Sequence, residues 1–110
     1  NHSIPAVLKN AIDWASRPAF ASPLKGKPVA IVTQADSPVG GARAQAHLKL
    51  ILDSTLALNH PAHEMLISGV KAIFNAELTL VDETVQRRLK RHLDDFVIFA
   101  QRANAAYNAP

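Results

Sequence analysis

Apolar residues recur along the chain at two spacings, and the places where the spacing changes mark its elements. Leu8, Ala11, Ile12 and Ala15 share one face of a 3.6-residue period, so the first segment is a helix running to about Arg17. Ser3 is placed to cap it, Pro5 stands where a first turn needs no N–H donor, and Pro18 stops it. Lys9 and Asp13 lie four apart on another face and can pair. From Pro18 to Lys27 two prolines, a glycine and small residues give a surface loop.

The period then disappears. Pro28–Thr33 is apolar at consecutive positions and bounded by turn residues, as in a parallel strand covered on both faces. Gln34–Gly41 is turn-like, and a helix follows from Ala42 to about Leu58, ended by Asn59-His60-Pro61. Glu64–Ile67 is a second strand candidate, shorter and more polar, hence nearer a sheet edge. Gly69–Val81 is mixed, with a helical turn around Val70–Phe74. Asp82 and Glu83 put acid at a helix start, and Val85, Leu89, Leu93, Phe96 and Ala100 make the buried stripe of a long last helix. Arg87, Arg88, Lys90 and Arg91 fall on its wet side.

Helix and strand alternate as in an open α/β sheet, but two strands are too few. A strand as apolar as Pro28–Thr33 needs a neighbour on each edge and a helix on each face, and Glu64–Ile67 supplies one edge. The expectation is that these residues are the C-terminal part of a larger α/β domain.

Composition narrows the function classes. The 110 residues fit one domain and carry a formal charge of +3; 48% are hydrophobic and none is cysteine. Disulfide scaffolds, thiolate nucleophiles and cysteine-ligated zinc are excluded, and a reducing, cytoplasmic setting is expected. No apolar run reaches the roughly 20 residues of a membrane span and no leader pattern opens the chain, so a soluble protein without a membrane partner is expected. The basic residues are not interleaved with aromatics, so no nucleic-acid partner is expected either.

In parallel sheets, ligands bind beyond the C-terminal ends of strands. Two such loops exist here: Asn1–Ile4, and Gln34–Gly41 after Thr33. Gly40 and Gly41 remove side chains where a flat ring or an anion would approach, and the helix start behind them supplies a positive dipole end. Neither G-x-G-x-x-G nor a Walker loop is present.

The segment Asn1-His2-Ser3-Ile4-Pro5-Ala6-Val7-Leu8-Lys9-Asn10-Ala11-Ile12-Asp13-Trp14 closely resembles the flavin-loop and helix motif of the NADPH-dependent FMN reductases, a flavodoxin-like group that includes chromate and quinone reductases. Pro23-Leu24-Lys25-Gly26-Lys27-Pro28-Val29-Ala30, followed by Gly40-Gly41-Ala42-Arg43-Ala44-Gln45, is similar to the family's next strand and second flavin loop, and the likeness extends through Leu78–Glu83 into the last helix. The resemblance implies a flavodoxin-like α/β three-layer sandwich with a parallel sheet, of which only the later strands and helices are present. Residues 1–110 are then the C-terminal portion of a single FMN-binding domain. It further implies an FMN ring held between Asn1, His2, Ser3 and Ile4 on one side and Ser37, Pro38, Val39, Gly40 and Gly41 on the other. NADPH or NADH would be the co-substrate, a quinone or similar small molecule the acceptor, and a homodimer or homotetramer the assembly. The flavin carries the chemistry, so no catalytic side chain is implied. The family's phosphate-binding loop has no counterpart here, so the 110 residues alone should hold FMN weakly. His2 replaces a glycine or tyrosine frequent in relatives, and Asp36 charges a loop that is usually neutral.

Plainer readings accompany these. A flavodoxin-like binding or scaffold module that has lost flavin is the alternative function. Ser3 reads as a cap before a nucleophile, and Trp14 as a core or interface aromatic before a flavin stacker. Asp36 either faces the ring or turns outward within its loop. Arg43, a cation in a first helical turn, is simply solvated, or meets Glu64 across a subunit boundary, or meets a nicotinamide-nucleotide phosphate. His60, His63 and Glu64 are close in sequence, but Pro61 intervenes and no ligand motif is matched, so no metal is expected.

Overall fold

A computed structural model describes residues 1–108. Its elements are α1 (Ala6–Ala15), β1 (Pro28–Val29), β2 (Val32–Gln34), α2 (Ala42–Ser54), β3 (Leu58–Asn59), β4 (Met65–Ile67), α3 (Val70–Ile73) and α4 (Glu83–Tyr107). Both ladders of named strands are parallel, as the apolar run Pro28–Thr33 requires. That run is two ladders, however. β1 pairs with β3, Pro28 opposite Leu58, and β2 pairs with β4, Val32 opposite Met65. Between the ladders the short link Ala30–Ile31 faces the longer His60–Glu64, which must bulge out of the sheet. Pro61, with its fixed φ and no N–H to donate, sits in the bulge.

Each face of the strands carries its own core. On one face Ile31, Leu52 and Ala57 are buried with Val29, Leu48 and Ile12 against them, which seats α1 and α2. On the other, Met65, Ile67, Ile73 and Val85 are buried with Leu80 and Leu89, which seats α3 and α4. The result is the expected layering of helix, sheet and helix.

Several boundaries differ from the sequence reading. α2 stops at Ser54, four residues before Leu58, because Thr55 turns the chain, its hydroxyl and N–H both bonded to Leu52 O, and Leu56 takes a left-handed φ of 65°. Leu58 is thereby freed to pair with Pro28. β4 has one strand neighbour, β2, as expected of an edge, but it is not polar: Met65 and Ile67 are among the best-buried residues described. Val32 is 42% exposed, so among the described residues β2 is covered on one face. On α4 the buried stripe passes through Val85, Leu89, His92, Phe96, Phe99 and Ala103; Leu93 stands off it, half exposed, one position from His92. The start of α4 is as read: Asp82 caps it, accepting from Val85 N at 2.9 Å.

The bulge carries His60 beneath α4, where its ring lies 5.5 Å from His92, 5.7 Å from Phe96 and 5.2 Å from Phe99, centroid to centroid. Neither ring nitrogen has a hydrogen-bond partner among the described residues. Desolvation, then repulsion from His92, holds the imidazole below its ordinary value, with Asp95 pulling the other way. In the folded chain His60 therefore binds a proton less readily than in the unfolded one. Its contribution to stability is complete above the unfolded value of about 6.5 and is lost as pH falls through the folded value. The urea midpoint is expected to fall between pH 7.5 and pH 5.5, and His60→Leu to flatten that dependence; an equal slope in the variant would assign it to other groups.

Candidate functional site

The β2–β4 ladder ends where the chain turns into α2, and a polar lock fixes that end. Gln45, 1% exposed, donates from Nε2 to Thr33 Oγ1 at 3.1 Å and to Met65 O at 3.3 Å. Thr33 Oγ1 in turn donates to Gly40 O at 3.2 Å. Helix α2, both strands and the loop between them thus share one chain of hydrogen bonds, and Ala35 N adds another to Ile67 O. The turn itself closes through Gly40 N to Ser37 O and Ala42 N to Val39 O.

Gly40 and Gly41 are also required by the fold itself. Both have positive φ, 56° and 82°. A Cβ on Gly40 would meet the backbone of Ile67 and Ser68 at 3.1–3.2 Å, and one on Gly41 would stand 2.9 Å from Thr33 Cβ. Their missing side chains allow the loop to pack on the strand ends. Gly41 also forms the N-cap of α2, which has no side-chain cap.

Above this junction lies a pocket of about 410 Å³. Asn1, His2 and Ser3 line one side of it; Ser37, Val39 and Gly41 line the other. The two loops singled out in the sequence, more than thirty residues apart, therefore face each other across one space. Ile4, Pro38 and Gly40 lie outside its lining, and Gly40 is buried beneath it. Gln34, Ala35, Ala42 and Ala44 also line it, although the sequence reading assigned none of them a contact with the ring; Gln34 ends β2 and Ala35 follows, where the strand-end rule points. Arg43 is the cation of the lining. It sits with the first-turn amides of α2, which have no acceptor within the helix, so this wall of the pocket is electropositive.

The remaining candidates resolve individually. Asp36 turns away from the pocket toward α3, its carboxylate 3.3 Å from Lys71 Nζ and 3.4 Å from Lys71 N. Glu64 pairs with Lys49 at 3.1 Å within the chain, and Arg43 makes no ion pair among the described residues. Trp14 is 78% exposed on α1 and outside the pocket, so among the described residues it packs into no core. Ser3 does not cap α1: the N-cap is Pro5, without a side-chain bond, and Ser3 Oγ lies 3.0 Å from His47 Nδ1 on α2. His60 and His63 line one small cavity with His92 under α4, while Glu64 turns to Lys49.

Residues 1–72 match the family model described as NADPH-dependent FMN reductase. The chain belongs to this family. It is 41% identical to a subunit of NADH:(hydroxy)cinnamate reductase from Vibrio ruber over 92% of its length and 50% of that protein's. It is 38% identical to an NAD(P)H-dependent FMN reductase of Pseudomonas aeruginosa, over 93% of this chain and 55% of the relative. A quinone reductase of Escherichia coli K12 is 37% identical over 79% of this chain and 54% of its own. Among solved structures, FerB, a flavoenzyme NAD(P)H:(acceptor) oxidoreductase from Paracoccus denitrificans, superposes with a TM-score of 0.82 at 33% identity, covering 94% of this chain and 57% of that one. The fold is therefore the flavodoxin-like α/β fold expected from the sequence, and the chain spans about half the length of the relatives it matches.

Two left-handed glycines give a controlled comparison of the junction. Gly41→Ala adds a clash with Thr33 to the backbone strain and should cost about 2 kcal/mol or more. Gly69→Ala, with φ of 58° and nothing within 4 Å, should cost about 1 kcal/mol from backbone strain alone. Urea denaturation of both variants measures the difference, and equal losses would remove the packing role given to Gly41.

Proposed function

We propose that this chain forms the ring-binding side of an NAD(P)H-dependent FMN reductase that passes hydride through bound FMN to quinones or similar small acceptors. In this reading residues 1–110 are the C-terminal portion of one FMN-binding domain, working in the cytoplasm as a homodimer or homotetramer. The meeting of the Asn1–Ser3 and Ser37–Gly41 loops over the start of α2 carries the reading, supported by the family match and by relatives named for flavin and quinone reduction.

The lining suits the isoalloxazine ring. Its volume lies in the usual range for a small-ligand site, and Val39 offers an apolar contact for a flat face. Asn1, Gln34 and Ser37 provide polar atoms for ring edges, while the α2 amides and Arg43 favour the electron-rich edge. Bound FMN would supply the hydride chemistry, accepting from a nicotinamide and giving to the acceptor. The protein's part is to orient the rings and tune the charge beside them. For the FMN phosphate this pocket offers only Arg43 as a cation, so the phosphate calls for groups beyond the lining. The exposed apolar side chains Val7 and Trp14 on α1 and Leu50 on α2 supply the surface proposed for subunit pairing.

The whole encoded protein is expected to purify with FMN, to bleach on anaerobic addition of NADPH or NADH, and to regain its colour with 1,4-benzoquinone. A colourless protein that takes up no FMN would overturn the assignment. The 110 residues alone should bind FMN far more weakly than the whole protein. If Arg43 meets the NADPH phosphate, Arg43→Ala should raise the KM for NADPH roughly tenfold while leaving that for NADH nearly unchanged, as expected for one lost charge-assisted contact. A change in sedimentation with no KM split would assign Arg43 to the subunit contact.

A further inference from the structure

His47 has no part in the sequence reading, in the pocket lining or in either hydrophobic core. It nevertheless makes the one hydrogen bond that Asn1–Ile4 form among the described residues: Ser3 Oγ to His47 Nδ1, 3.0 Å, across 44 positions of sequence. Its place follows from helix geometry. Arg43 and His47 are four apart on α2 and share a face, so the turn that brings Arg43 to the pocket wall brings His47 beneath the opposite loop.

The loop needs such a tie. His2 holds a φ of 65°, a conformation that a side-chain-bearing residue adopts at a cost. Pro5 caps α1 without any side-chain bond, so nothing in α1 itself fixes the approach of the chain. The Ser3–His47 bond joins this wall of the pocket to α2, and the lock of Gln45, Thr33 and Gly40 joins α2 to the opposite wall. We propose that His47 is a positioning residue: acting through Ser3, it fixes the Asn1–Ser3 loop relative to α2 and thereby sets the affinity of the pocket for the flavin ring. In one imidazole tautomer Ser3 donates its proton to Nδ1; in the other Nδ1–H donates to Ser3 Oγ. Either geometry holds the loop.

The proposal rests on the reading of this pocket as the flavin site, and two measurements on the whole encoded protein separate them. The first is FMN affinity, followed by quenching of flavin fluorescence. His47→Leu and Ser3→Ala should each raise Kd about fivefold, the usual worth of one net hydrogen bond, and the double variant should be no weaker than either alone. His47→Asn, which keeps a polar atom near the position of Nδ1, should recover most of the affinity with little change in Tm. A His47→Leu protein that binds FMN within twofold of the parent, multiplying effects in the double variant, or no recovery in His47→Asn would overturn the proposal. The second measurement is amide hydrogen exchange of residues 2–6 in flavin-free protein, expected to quicken in His47→Leu. If the parent binds no FMN, the flavin assignment fails and exchange decides alone: faster exchange upholds the tie between loop and helix, and unchanged exchange removes it.

Discussion

A glutamine amide buried to 1% exposure must place its hydrogens or cost the chain the penalty of a stranded polar group. Gln45 meets that demand with Thr33 and Met65, which belong to neighbouring strands, and through Thr33 it reaches Gly40 in the loop between strand and helix. These partners sit at fixed positions only if β2 and β4 are in register, if α2 starts at Ala42, and if the Gly40–Gly41 turn lies flat on the strand ends. The pocket wall is therefore defined by polar satisfaction at the sheet end. Hydrophobic contact supplies the seating of the layers, but it is tolerant of small shifts where hydrogen bonds are not.

That division explains how much could be read in advance. The parallel α/β layering was legible because a run such as Pro28–Thr33 admits few other homes, and the start of α4 because Asp82 is a cap in sequence and in structure alike. Both pocket loops were legible from the position of Thr33 and from the family likeness of Asn1–Trp14. The split of the sheet was not, since Ala30 and Ile31 continue the apolar run while leaving the ladder. Nor was the end of α2, where the periodic pattern runs on through Leu56 and Leu58 although a left-handed residue has already turned the chain. Polar residues were the hardest to place. Ser3 has the local signature of a cap, and only the arrival of His47 from distant sequence gives its hydroxyl another partner.

The stripe of α4 carries a similar lesson. Counting from Val85 in steps of four reaches Leu93, yet the helix turns slightly less than that, and His92 lies at the centre of the contact. An imidazole there is easily passed over in favour of the leucine beside it. His60, which the bulge delivers beneath α4, packs edge-on against His92. The same bulge separates what happens at the two ends of the sheet.

Because β1–β3 and β2–β4 are joined through the exposed residues Pro61–Glu64 rather than by an unbroken ladder, extra length inserted at that point need not propagate into the register of Thr33 with Leu66. The segment is a natural place for a tag or a short recognition peptide to be grafted, with the pocket end of the sheet left as it stands.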